Sequence, residues 1–348
     1  MITRRLPTFS MATLLAIFVS CAAWAEETKS KEVTPRTQAG IEAATRLQVF
    51  LDRAEFAPGK IDGRYGEFTV KALQLFRQSH GEEMKQPEKP DGAPDVSGLD
   101  LASVEPLFTD YTVVEADLKG LGAVPESVPA QAKLKALSYE TAAELIAEKF
   151  HMDVDFLGEL NPGKTKDIKV GDKLRVVNVE PFDLGAVKDL KPGSELGAND
   201  IEDEGKGKDE PVTTKTAVKV DTKSNMLSVL EDGKLIAAYP VTIGSEQTES
   251  PVGDWKVRGV AKMPNFRYDK KMLSKGERSD QFHMLKPGPN NPVGVVWIAL
   301  NKKGIGLHGT NSPDAIGRSA SHGCVRLANW DVVRLAAKVK AGVPVAIH

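Results

Sequence analysis

The sequence predicts a multidomain chain: a small α-helical N-terminal domain, an α+β module, and a mostly-β C-terminal domain, a β-sandwich or open barrel with one helix. Three observations carry that prediction. Apolar residues repeat at helical spacing early in the chain, with Leu47, Phe50 and Leu51 at i, i+3, i+4. A polar, acidic, glycine-rich stretch, "GSELGANDIEDEGKGKDE", then has almost nothing to bury. Beyond it the pattern changes to short β-type runs with a single Asp232-Gly233 hairpin signal. At 348 residues the chain also exceeds one ordinary domain.

Taken in order, the first 25 residues read as an export signal. Arg4 and Arg5 precede an apolar run from Met11 to Val19 and a small-x-small site, Ala23-Trp24-Ala25. The run is shorter than the ~20 residues that span a bilayer. The expectation is an exported protein of the periplasm or cell envelope. Val19-Ser20-Cys21 leaves a lipoprotein anchor as the rival. A helix–loop–helix is expected over 37–82, with Pro58-Gly59 and Asp62-Gly63 in the loop and the second helix from about Thr69 to Gln78. In 111–180, Leu145, Ile146 and Phe150 mark one short helix, Val154, Leu157 and Leu160 another, and "IKVGDKLRVVNV" a strand; Tyr111-Thr112-Val113 is a distant candidate for a second strand. His151 is expected at a surface or helix end. Residues 183–211 are the expected linker, so a chain starting near Pro211 is expected to fold alone. In 212–348 the strands are expected in "AVKVDTKSNMLSVL", "LIAAYPVTIG", "GDWKVRGV", "GVVWIALN" and "VPVAI", with a helix marked by Val332, Leu335, Ala336 and Val339, capped by Asn329 and stopped at Gly342.

Net charge −2 leaves no basic excess to neutralise phosphates, which excludes nucleic acid as a partner. Only two cysteines are present, and Cys21 lies in the export signal, so Cys324 stands alone in an oxidising compartment where cysteines usually pair. An inert buried thiol is the plain alternative. A thiol is a useful nucleophile only as thiolate, so catalysis wants a base near it and a group to orient that base. Two histidines qualify: His322, two residues away, and His308, sixteen residues upstream. Gly309 and Gly323 permit close backbone approach and could aim N–H groups at a developing oxyanion. Arg326 is placed to hold a substrate carboxylate bidentately. Zinc ligation by the two histidines and Cys324 lacks a convincing fourth ligand, so neither metal nor cofactor is expected.

The segment "HGTNSPDAIGRSASHGCVRL" resembles the signature of the L,D-transpeptidase catalytic domain, and the resemblance runs over 212–348. "PGKIDGRYGEFT" in 37–82 resembles a small peptidoglycan-binding domain, and 111–180 is similar to a LysM module that lacks its usual opening strand and Gly-Asp turn. The resemblance implies Cys324 as nucleophile and His308 as its base, with the ring oriented by the Gly309 carbonyl. It implies that His322 flanks the thiol, that Ser321 and Gly323 shape the nucleophile loop, and that Met263 to Asn291 form a lid over the acyl-donor groove. The implied partner is peptidoglycan: a tetrapeptide stem cleaved between its third and fourth residues, the acyl group passing to an amine to give a 3→3 cross-link. Transfer to the lysine of a wall-linked protein and trimming by water share this machinery, and carbapenems are implied as covalent inhibitors. A non-catalytic wall-binding protein is the reading of a different class, which the intact His308 and Cys324 oppose.

Overall fold

Thr37 caps the first helix, α1 (Gln38–Arg53), its hydroxyl accepting from the Gly40 N–H at 3.1 Å. The structure is a computed structural model and describes residues 37–82, 93–189, 214–243, 252–275, 277–302, 304–318 and 323–348. The expected export signal, residues 190–211 of the expected linker, and Ser321 and His322 lie outside the described residues.

The loop after α1 is organised by the buried Gln48 amide, whose oxygen accepts from the Asp62 and Gly63 N–H groups and whose nitrogen donates to Asp62 Oδ1 at 2.9 Å. Gly59 and Gly63 supply the positive φ that this loop requires. Helix α2 (Glu67–Ser79) follows. Then come β1 (Phe108–Thr112), α3 (Glu115–Leu118), α4 (Val128–Gln131), α5 (Ala142–Lys149), α6 (Val154–Leu160) and β2 (Lys173–Val177). β1 and β2 pair antiparallel, with Tyr111 opposite Leu174. Thr141 and Glu144 form a capping box that starts α5.

The C-terminal part is mostly β: β3 (Thr216–Asp221), β4 (Met226–Glu231), β5 (Lys234–Pro240), β6 (Gly253–Lys262), β7 (Phe266–Tyr268), α7 (Lys270–Lys275), β8 (His283–Leu285), β9 (Val296–Leu300), β10 (Gly306–His308), β11 (Val325–Arg326), α8 (Asn329–Lys338) and β12 (Pro344–Ile347). Asp232 and Gly233 both have positive φ, as a two-residue hairpin between β4 and β5 demands. One eight-stranded sheet runs β11-β10-β9-β6-β12-β3-β4-β5. Its two ends meet, because Thr242, just beyond β5, exchanges N–H···O bonds of 2.9 Å with Arg326 of β11. Of the two expected forms, the barrel-like one is therefore present rather than two stacked sheets. The main core lies inside it, built from Val218, Leu227, Val229, Tyr239, Ile298, Leu307, Val325, Leu327 and Leu335.

The N-terminal segments pack directly on this barrel. Leu47, Leu51, Phe56 and Leu73 share a core with Met226 and Ala238, and backbone bonds at 2.8–2.9 Å from Glu55 and Ala57 to Ala238 cover the outer edge of β5. Val187 is fully buried in the main core, although it falls in the stretch expected to be linker. The expected linker therefore does not begin at 183, because Leu184–Asp189 form a short helical turn with Val187 in the core: composition marks where a chain is polar, not where its neighbours are buried. Of the two places expected for His151, the helix end holds and the surface does not: it follows the C-cap of α5, yet it is 1% exposed, stacks on Trp330 at 5.3 Å and meets the Asp52 carboxylate at 2.9 Å. That carboxylate also takes two N–H bonds from Arg334 at 2.9 and 3.0 Å. One buried cluster thus joins α1, the turn after α5, and α8.

Candidate active site

The sheet register assembles the site. β10 runs antiparallel to β9, with His308 opposite Trp297, and parallel to β11, with His308 opposite Arg326. Side chains alternate along strands and partners share a face. Leu307, Ile298 and Val325 therefore point into the barrel core, while His308, Trp297, Ala299, Arg326 and Cys324 share the outer face. This face has its own small core of Ala261, Val293, Trp297 and Ala299, against which half-buried Cys324 and Phe266 pack. The alternation explains why every residue of β9 is buried: one face meets the barrel core and the other the site.

Phe266 belongs to the excursion between β6 and β9. There β7 and β8 pair antiparallel, with Tyr268 opposite His283, and α7 spans between them. Asp269 begins α7: its Oδ1 accepts from the Lys271 and Met272 N–H groups, and its Oδ2 from Arg267 at 2.9 Å and the Ser279 N–H at 2.7 Å. Arg267 in turn lies 4.0 Å over the Phe282 ring. This flap occupies the 263–291 stretch.

His308 is 3% exposed, and its ring stacks on Trp297 with centroids 5.1 Å apart and planes 12° apart. Nδ1 donates to the Gly309 carbonyl at 2.6 Å, the acceptor assigning the proton to that nitrogen and leaving Nε2 with its lone pair. Burial drives the ring's pKa down to about 3; the Gly309 carbonyl opposes the shift and nearby Arg326 adds to it. Burial pushes the Cys324 thiol up to about 11, offset in part by the Gly306 backbone and Arg326. Both groups are neutral at rest, because burial penalises each charge separately. The thiol reaches the Gly304 carbonyl at 3.5 Å. Arg326 Nε is buried with no hydrogen-bond partner among the described residues.

Of the residues expected from sequence, Cys324, His308, Gly309 and Arg326 are brought together here. Gly323 adopts φ 105, which favours glycine. Ser321 and His322 lie outside the described residues. Among the described residues no group of three or more His, Cys, Asp or Glu could hold a metal ion. Three contributors escaped sequence reasoning. Trp297 stacks on His308; its signal was an aromatic out of phase with the core-facing positions of β9. Gly306 gives it room, since a Cβ there would lie 2.7 Å from the indole. Asn329, expected as an N-cap, is instead the first residue of α8 after Ala328, with its amide turned inward.

A family model described as the L,D-transpeptidase catalytic domain matches residues 215–347. The protein is similar to YkuD of Bacillus licheniformis, named as an L,D-transpeptidase, at 31% identity over 39% of this chain and 68% of the relative. It is similar to YqjB of Bacillus subtilis, named likewise, at 33% identity over 37% of this chain and 69% of the relative. Solved structures that match include a mutant Enterococcus faecium L,D-transpeptidase, at 20% identity and a TM-score of 0.31 over 40% of this chain and 52% of that one. Another is L,D-transpeptidase 3 of Mycobacterium tuberculosis with a faropenem-derived adduct, at 17% identity and a TM-score of 0.32 over 38% of this chain and 60% of that one. The chain thus spans about half the length of the Enterococcus structure.

Proposed function

This chain belongs to the L,D-transpeptidase family, and on that premise we propose that Cys324 is the nucleophile of a peptidoglycan acyl transfer with His308 as its base. The observation that carries the reading is the shared outer face: thiol, imidazole and guanidinium lie on adjacent strands under the flap, and the Gly309 carbonyl holds the ring with Nε2 free to accept a proton.

The thiol attacks the carbonyl carbon of the third stem residue. As the S–C bond forms, the thiol proton passes to His308 Nε2; as the C–N bond breaks, that proton goes to the departing amine of the fourth residue. Negative charge on the substrate oxygen and positive charge on the imidazole arise together, so the buried site gains an ion pair rather than a lone ion. An acceptor amine then attacks the thioester, His308 takes its proton, and Cys324 leaves as thiol, giving a 3→3 cross-link. Arg326, whose buried Nε has no hydrogen-bond partner among the described residues, offers its guanidinium to the carboxylate of the fourth residue. The flap, with Phe266 packed on the same small core as the cysteine, limits water so that the thioester survives until the amine arrives.

The segments 37–82 and 111–180 act as wall-binding modules in this reading, and the protein is exported to the envelope; support comes from their sequence motifs and from the leader-like first 25 residues. The test is incubation of the purified protein with a disaccharide-tetrapeptide, with products identified by mass spectrometry. The expected product is a dimer lacking one fourth residue, absent with Cys324→Ala. Turnover in that variant would refute the thiol mechanism.

A further inference from the structure

Behind the His308 loop the barrel receives a side chain from the N-terminal half. Glu148 of α5 is almost fully buried, and its Oε1 accepts the Tyr139 hydroxyl at 2.8 Å and Asn329 Nδ2 at 2.9 Å. The same Asn329 nitrogen donates to the Pro289 carbonyl at 3.2 Å, while Oδ1 accepts the Val295 N–H at 3.2 Å. An amide can face two acceptors and one N–H donor in only one orientation, so Glu148 helps decide which way Asn329 points. Asn329 Oδ1 is wedged between two glycines: a Cβ added at Gly294 would lie 2.2 Å from it, and one at Gly309 2.3 Å. Gly309 is the residue whose carbonyl holds the His308 ring.

A second grip falls on the same loop. The Leu137 N–H donates to the Pro287 carbonyl, and the Leu137 carbonyl accepts from the Asn290 N–H, both at 3.0 Å. Asn290 Nδ2 donates to the Ser138 carbonyl at 3.0 Å. Gly288 adopts φ 152, and a Cβ there would sit 2.0 Å from the Leu137 oxygen. Residues 137–148 therefore hold the loop on which the flap ends, and through Asn329 they reach the loop that carries the base.

We infer that Glu148 is a positioning residue for the acyl transfer, acting through Asn329 on the Gly309 carbonyl behind His308 and on Pro289 at the root of the flap. The inference rests on the proposed roles of Cys324 and His308. It makes the N-terminal segment part of the machinery that aligns the base, beyond any role in binding the wall. Both bonds to Glu148 land on one oxygen, so geometry rather than charge is the requirement, and a glutamine Oε1 meets it.

The experiment compares the full chain with its Glu148→Gln, Glu148→Leu and Glu148→Asp variants. Stopped-flow mixing with imipenem reads acylation of Cys324 across a concentration series. Side-chain ¹⁵N-histidine NMR reads solvent exchange of the His308 Nδ1 proton. Misplacing a reacting group by about 1 Å costs up to ~100-fold, so Glu148→Leu is expected to lower the saturating rate 10- to 100-fold, with the half-saturating concentration within about twofold. It should speed exchange of the Nδ1 proton at least about tenfold. Glu148→Gln is expected to restore both readings to within about twofold of the unmodified chain. Glu148→Asp, one methylene short of Asn329, should behave like Glu148→Leu and keeps the test open where the leucine variant does not fold. Unmodified rates and exchange in the Leu and Asp variants overturn the inference, as do equal losses in the Gln and Leu variants. A failure of the unmodified chain to react with imipenem counts against the cysteine mechanism instead, while the Nδ1 proton still judges Glu148.

Discussion

Replacing Asp52 by alanine is expected to destabilise the whole described unit, not only the helix that carries it. The carboxylate is 1% exposed and serves two partners from distant parts of the chain: His151 Nδ1 at 2.9 Å, and two guanidinium nitrogens of Arg334 at 2.9 and 3.0 Å. Burial lowers the His151 pKa, so at neutral pH the ring is a neutral donor and the charge of Asp52 is matched by Arg334. Removing one partner of a buried pair typically costs ~3–5 kcal/mol because the other charge stays uncompensated. Here Asp331 gives Arg334 a second carboxyl 3.8 Å away, although burial pushes that carboxyl well up. That places the expected loss near the lower end, about 3 kcal/mol. The double variant Asp52→Ala/Arg334→Met removes both charges and should cost less than the sum of the singles by about 2 kcal/mol. Urea unfolding of the full chain at pH 7 measures all of them. The acid limb supplies a second arm. Burial alone would raise the Asp52 carboxyl, but the facing His151 and Arg334 override it and hold it well below the usual carboxylate range. Its contribution is therefore present above the ordinary value of 3.8 and lost as pH falls below it, a limb that Asp52→Ala should lack. A loss under about 1 kcal/mol, or strict additivity in the double variant, would refute the argument that these charges hold the segments together.

Three further outcomes are expected. His308→Ala should slow acylation of Cys324 by imipenem by roughly 10²–10⁴ at neutral pH, with part of the rate returning towards pH 10 as the thiol, near 11 in the fold, begins to ionise unaided; a flat pH 6–10 stopped-flow profile would contradict the base assignment. A chain beginning at Thr214 should melt at least about 6 °C below the full chain by circular dichroism, since losing the Asp52 cluster alone removes about 3 kcal/mol and each kcal/mol is worth ~2–4 °C at this size. Glu148→Gln should remove a pH dependence of stability. Burial raises the Glu148 carboxyl from 4.5 to about 7, so the unmodified protein loses up to about 3 kcal/mol as pH rises through that window, whereas urea midpoints of the variant should stay level there.

The C-terminal strands were legible because their information is local. Asp232-Gly233 dictates a turn at those two residues, and the alternation in "GVVWIALN" needs no partner to be read. Cys324 and His308 were legible for a different reason: a lone thiol near a glycine-flanked histidine is a chemical anomaly even before its geometry is known. What sequence could not carry is contact between segments that sit far apart in the chain. Asp52, His151 and Arg334 are each unexceptional where they stand, and their meaning lies in separations of 99 and 282 residues. A polar run such as 190–211 satisfies the composition of a linker, while Val187 just before it is buried in the main core.

Asn329 shows why the misreading concentrated near the site. Asparagine before an apolar stripe is a sound helix-start signal, since its side chain usually satisfies the first N–H groups of the turn. Here α8 begins one residue earlier than that role requires, no side chain caps it, and the amide is spent on Val295, Pro289 and Glu148. A local rule is broken where the side chain has a nonlocal task, as expected of residues that position a functional group. The same logic covers Gly306 and Gly309. Neither needs positive φ, yet the Trp297 indole leaves no room for a Cβ at one and Asn329 Oδ1 leaves none at the other. Each of these residues is set by a neighbour that only the folded chain supplies; Trp297 stacks on the His308 ring, and Asn329 lies against Gly309, whose carbonyl holds that ring.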